Sequence, residues 1–185
     1  MLRRKTVHSV LTLIALLALT APPTGAENPV ACTITARSEE SIQAAIDRAP
    51  EHAVICLPEG EWHENLTITK SLILQGSGPG LSVIMARDED KPVISISSSG
   101  EGAAVDVMIE SITVAGASLR FGWGIKIEDT TEAAIVGCSI RDNSGGISLL
   151  ESCQALITGC TIEGNDGDGI CVEAVSYTHL RAHET

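Results

Sequence analysis

Aromatic residues are almost missing from this chain: two tryptophans, one tyrosine and one phenylalanine in 185 residues. Basic residues are also scarce, 12 Lys and Arg against 24 Asp and Glu, for a formal net charge of −12. That balance disfavours nucleic acid and anionic membranes as partners. It would also repel polyanionic glycans unless calcium or a local basic patch intervened. No Cys-x-x-Cys or Cys/His spacing suggests zinc. Long apolar runs are missing too, apart from Val10 to Leu19, which is short of the roughly 20 residues that span a bilayer. Arg3, Arg4 and Lys5 precede that run, and Pro22-Pro23 and Thr24-Gly25-Ala26 follow it. Residues 1–26 are therefore predicted to be a secretory signal peptide cleaved after Ala26. The protein is expected to be exported, periplasmic or extracellular, with no other membrane association. Removing those residues lowers the formal charge to −15.

What is present is a repeat. Gly137-Cys138-Ser139-Ile140 returns as Gly159-Cys160-Thr161-Ile162, and Asn143 returns as Asn165, each 22 residues later. Gly146-Ile147-Ser148-Leu149 returns as Gly169-Ile170-Cys171-Val172, one residue further on. Ile125 to Ile147 carries the same spacing one unit back. A fixed period with a turn residue at a fixed place marks a stacked array. Within it Cys138, Ile140 and Asn143 should lie under Cys160, Ile162 and Asn165, as ladders of like residues. Cys138 and Cys160 are close enough in such a stack for a disulfide, but a row of buried thiols is the preferred reading.

Before the repeats, residues 38–49 read as a short amphipathic helix, with Ile42, Ala45, Ile46 and Ala49 on one face, Ser38 as N-cap and Pro50 as terminator. Short strands with apolar residues at alternate positions follow: Val54–Leu57, Leu66–Ile68, Leu72–Leu74, Val83–Ile84, Val93–Ile96, Ile112–Val114 and Ile125–Ile127. Strands this short suit a chain wound as a coil of parallel strands. From Ala53 onward there is room for about five and a half coils of roughly 22 residues. The helix would cover the open lower end. Cys32 and Cys56 flank it and are expected to form a disulfide, as exported proteins allow. The predicted organisation is thus 1–26 signal, 27–52 N-terminal segment with capping helix, and 53–174 repeats.

Residues 175–185 break both repeat and composition, and match the translation of a transposase-type sequencing adapter. They are predicted to be an artefact, with the natural chain continuing beyond it.

Ser41-Ile42-Gln43-Ala44-Ala45-Ile46, Val54-Ile55-Cys56-Leu57-Pro58-Glu59-Gly60, Glu64-Asn65-Leu66-Thr67-Ile68 and Leu72-Ile73-Leu74-Gln75-Gly76 resemble the cap and first coils of right-handed parallel β-helix proteins. The pectin-lyase-like superfamily and periplasmic NosD-type proteins are among these. The resemblance implies an all-β, right-handed, single-stranded parallel β-helix, but no one chemistry. Gly60-Glu61-Trp62-His63-Glu64-Asn65 also resembles the start of pectin methylesterases. The later Gln-Asp-Thr and Asp-Phe-Ile-Phe-Gly motifs of those enzymes do not occur, nor do the paired-aspartate signatures of polygalacturonases or a clear pectate-lyase calcium set. No catalytic residue and no metal ligand is therefore assigned.

The remaining ligand-binding candidates are Phe121 and Trp123, as an aromatic platform for a sugar ring, and Asp166 and Asp168, two carboxylates on one turn within reach of calcium. The turn residues matching that acidic turn are Asn143-Ser144-Gly145-Gly146. His63 beside Glu61 and Glu64 is an acid/base-like cluster, read as structural. The expected function is a monomeric, non-catalytic scaffold that meets a glycan or a cell-surface protein. The alternatives are the first part of a polysaccharide lyase or glycoside hydrolase with its site on further coils, and a NosD-like maturation protein for a periplasmic copper enzyme.

Overall fold

The computed structural model describes residues 31–37, 39–98, 104–129, 131–150 and 153–173, and the backbone of 177–181. The predicted signal segment 1–26, Ser38 and Ala174 lie outside these residues. The chain enters as β1 (Ile34–Thr35) and α1 (Ile42–Arg48), then winds upward coil by coil. The first coil is β2 (Ala53–Leu57), β3 (Gly60–His63) and β4 (Leu66–Ile68). The second is β5 (Leu72–Gly76), β6 (Ser82–Met85) and β7 (Ile94–Ile96). The third is β8 (Val105–Glu110), β9 (Thr113–Ala115) and β10 (Trp123–Ile127). The fourth is β11 (Thr131–Val136), β12 (Ser139–Arg141) and β13 (Gly145–Leu150), and the fifth is β14 (Gln154–Thr158), β15 (Thr161–Glu163) and β16 (Ile170–Glu173). β17 (Tyr177–Arg181) opens a sixth.

Three parallel sheets result, in the orders β1-β2-β5-β8-β11-β14-β17, β3-β6-β9-β12-β15 and β4-β7-β10-β13-β16. They are called here the first, second and third. Register follows the sequence ladders: Ile125 sits under Ile147, Ile135 under Ile157 and Ile140 under Ile162. Alternation decides which side faces in. In β8, Val105, Val107 and Ile109 are buried while Asp106, Met108 and Glu110 lean outward. Columns such as Ile55, Leu74, Ile109, Ile135 and Ile157 fill the interior without a break. Each buried aliphatic contributes about 1.5–3 kcal/mol, so short strands suffice when coils stack.

Tight corners make the winding possible. Between the first and second sheets, Ser111, Gly137 and Gly159 occupy equivalent places at φ 57, 57 and 63°. Glycine adopts that left-handed conformation without a Cβ penalty, which explains the repeated Gly-Cys: the glycine turns the chain and the cysteine points inward. Gly145 and Gly146 belong to β13 rather than to the turn expected there. They are glycines because of crowding: a Cβ on Gly145 would lie 2.4 Å from the Trp123 ring, and one on Gly146 2.2 Å from the Gly169 carbonyl oxygen.

The helix is shorter than the sequence suggested. It begins after Ser41, whose hydroxyl accepts the Ala44 N–H at 3.2 Å, so Ser41 is the N-cap. Side chains of the first coil hold both its ends. Glu64 accepts the N–H groups of Ile42 (2.9 Å) and Gln43 (3.1 Å) and the Ser41 hydroxyl (2.8 Å). Lys70 donates to the carbonyls of Asp47 (3.1 Å) and Ala49 (3.0 Å). An anion at the N-terminus and a cation at the C-terminus complement the helix dipole. Gln43 bonds the Thr67 backbone in both directions. Ile42, Ala45 and Ile46 are buried beneath the first coil.

Below, β1 pairs with β2, and a disulfide joins Cys32 to Cys56 with Cα atoms 5.7 Å apart. At the other end, the backbone of β17 pairs with Gln154–Thr158 in register. An open parallel edge accepts any extended backbone, because the ladder is made by main-chain groups. The coils are also less uniform than the repeats imply: Asn143 and Asn165 are 22 apart, but the paired Gln75 and Glu110 are 35 apart.

Candidate functional site

The corners differ in what they carry. Between the first and second sheets, four of five turns are two residues long. The corner between the second and third sheets instead carries the loops 86–93 and 116–122. Every ligand-binding candidate from the sequence falls on or beside this second corner. Phe121 is 59 % exposed, its N–H donates to Asp90 (3.3 Å), and the Arg120 guanidinium lies over its ring at 5.2 Å. Trp123 opens β10 and lays its ring against Gly145, so it is half-buried against the coil above. Leu119 is exposed beside them at 53 %.

Asn143 and Asn165 form the inner lining of the corner. Asn143 is buried; its Oδ1 accepts the Ala117 N–H (3.0 Å), and its Nδ2 donates to the Val114 carbonyl (3.4 Å) and to Asn165 Oδ1 (3.2 Å). Asn165 Oδ1 also accepts the Asn143 N–H at 3.1 Å, and its Nδ2 donates to the Ile140 carbonyl at 3.2 Å. Lower down, Asn65 accepts the Asp88 N–H at 2.8 Å and donates to the Pro92 carbonyl at 2.9 Å. These amides brace the loops on which the exposed groups stand.

A cleft of about 870 Å³ opens at the lower part of this corner, between α1, the β3–β4 turn, loop 86–93 and Leu119. Most of its polar groups already have partners: Glu64 with α1, Glu89 with the Ser118 hydroxyl (2.6 Å), and Asp88 with Lys91 (2.8 Å). The Lys91 ammonium holds the Asp88 carboxyl below the usual carboxylate range, helped by the Asp90 N–H, and Asp88 raises Lys91 in return. Arg87 also lines the cleft.

A family model for the right-handed beta helix region matches residues 53–183. The chain belongs to that family. Neither the curated proteins nor the solved structures searched gave a match.

On this β-helix the acidic turn behaves as part of the stack. The Asp166 N–H donates to the Asn143 carbonyl (3.0 Å), the Asp168 carbonyl accepts the Gly146 N–H (3.0 Å), and both side chains are exposed. No group of three or more His, Cys, Asp or Glu side chains able to hold a metal comes together among the described residues. The His63 cluster is divided: His63 meets Glu61 at 2.8 Å on the outer surface, while Glu64 turns to the helix.

Sequence reasoning missed Arg87, Leu119 and the structural service of Glu64. Cleft residues come from segments distant in sequence, so only the coil register could have gathered them. One signal was present: the spacing between like residues lengthens in the second and third coils, where the loops are inserted.

Proposed function

We propose that this protein is an exported β-helix scaffold that binds an uncharged glycan along the corner between the second and third sheets, without catalysing its turnover. The observation that carries the reading is an exposed Phe121, stacked with Arg120 and flanked by Leu119, raised on a braced loop beside the cleft. An aromatic face with neighbouring polar groups suits a sugar ring, whose own face is apolar and whose rim is hydroxylated. The net charge of −12 favours a neutral glycan over a polyanionic one. Isothermal titration of the secreted protein against neutral and uronic-acid oligosaccharides, with product analysis, tests this. Binding of a neutral oligosaccharide, weakened about tenfold by Phe121→Ala, is expected. Turnover, binding confined to uronates, or affinity indifferent to Phe121→Ala would overturn it.

A further inference from the structure

The interior of the fourth and fifth coils holds a pair of buried thiols. Cys138 and Cys160 each follow the turning glycine of successive coils, and the Thr161 N–H donates to the Cys138 carbonyl at 2.9 Å. The pairing Ser139 to Thr161 fixes their neighbours in register. The turns themselves stack closely: a Cβ on Gly159 would lie 3.9 Å from the Gly137 Cα. Adjacent strands stand about 4.8 Å apart, inside the Cα range of a disulfide. The two thiols are thus neighbours on adjacent coils. Their other neighbours are main-chain carbonyls, of Val136 and Ile109 for Cys138 and of Ile135 and Thr158 for Cys160, at 3.4–3.6 Å.

We propose that Cys138 and Cys160 are a redox pair, a dithiol that closes into a disulfide bolting the fourth coil to the fifth. The pair is asymmetric in a way that orders the steps. Cys160 lies one coil above Cys138, on the same coil as the partly buried Ile162 and Ile170, and is the less buried of the two thiols, 4 % exposed against 1 %, so local opening reaches it more readily. The adjacent Cys138 thiol pulls the Cys160 thiol below the usual thiol range, whereas the Cys160 side chain and burial push Cys138 up. Thiolate is the attacking form.

With an external disulfide as oxidant, the Cys160 thiolate attacks one of its sulfurs and the other leaves as a thiolate. Cys138 then attacks the Cys160 sulfur in the mixed disulfide, expelling the second thiolate, which takes up the Cys138 proton. Two cysteine thiols are oxidised, one external disulfide is reduced to two thiols, and a new S–S bond closes between positions 22 residues apart.

The test is to incubate the folded full chain with oxidised glutathione, quench in acid, alkylate under denaturing conditions and map the peptides by mass. Cys138, Cys153, Cys160 and Cys171 lie outside the Cys32–Cys56 bond and carry thiols at the start. The expected product has lost two alkylatable thiols and the mass of two hydrogens, carries a Cys138–Cys160 linked peptide, and melts at higher temperature. Cys138→Ala should stop at a glutathione adduct on Cys160, and Cys160→Ala should leave Cys138 unmodified. Four thiols that all still alkylate, or a bond joining other cysteines, would overturn the pair. Glutathione on Cys138 in Cys160→Ala would overturn the order of attack. The wild-type map decides the first question even if a variant does not fold.

Discussion

The first and the last fully described coils of this solenoid are covered unequally. At the lower end a seven-residue helix lies under the first coil, with Glu64 at its N-terminus and Lys70 at its C-terminus, and the Cys32–Cys56 bond anchors the approach strand. Core residues there are sealed: Ile42, Ile55 and Leu57 are at most 1 % exposed. At the upper end, Ile162 and Ile170 are only half-covered and Val172 is 44 % exposed, although their partners one coil down, Ile140, Ile147 and Leu149, are fully buried. Two of these three pairs are isoleucine over isoleucine. In a stacked array, burial is conferred by the next coil, so identical side chains carry different weight by position.

Substituting equivalent core positions gives the sharpest test of that difference. Ile140→Asp places an unpaired charge between two coils and should cost more than about 4 kcal/mol, leaving no cooperative thermal transition by circular dichroism. In the 185-residue chain, Ile162→Asp lets the carboxylate reach water and should cost about 1–2 kcal/mol, with a folded, soluble protein. Equal losses at the two sites would break the comparison.

Replacing both Cys32 and Cys56 by serine should lower unfolding stability by about 3 kcal/mol in denaturant titrations, since the bond closes a loop with a sequence separation of 24. A smaller loss would mean that the helix alone seals the lower end. Glu64→Gln should have the least effect, about 1 kcal/mol, because Gln retains one acceptor but loses the charge at the helix terminus. Its signature should be local: faster amide exchange at Ile42 and Gln43, with the upper coils unchanged.

Much of the fold was legible because period-2 alternation and the 22-residue ladder are both written in one chain. Leu66–Ile68 was read with its observed bounds, and Ile125 and Ile140 with their partners. Other elements were obscured for physical reasons. β3 has a single inward residue, Trp62, between polar neighbours, so its alternation is too short to notice. β8 does alternate, yet Met108 on the outer face blurs the contrast. The helix start moved from Ser38 to Ser41 because Glu64, far along the chain, supplies acceptors that a local reading of caps cannot include. The candidate site was partly readable: Phe121, Trp123, Asp166 and Asp168 were picked out singly. Their gathering on or beside one corner, and the partnership of Trp123 with Gly145 rather than with a ligand, depend on register between coils.

The asparagine braces give the solenoid a direction in time. The Ala117 N–H donates to Asn143 Oδ1, and the Asn143 N–H to Asn165 Oδ1, so a turn is finished only by a side chain synthesised later. A nascent chain leaving the ribosome N-terminus first would set its capped base before anything else. Each newly emerged coil would then lock the turn beneath it while leaving its own provisional. At any moment the unfinished part is one coil deep, and elongation itself becomes the ratchet that orders assembly.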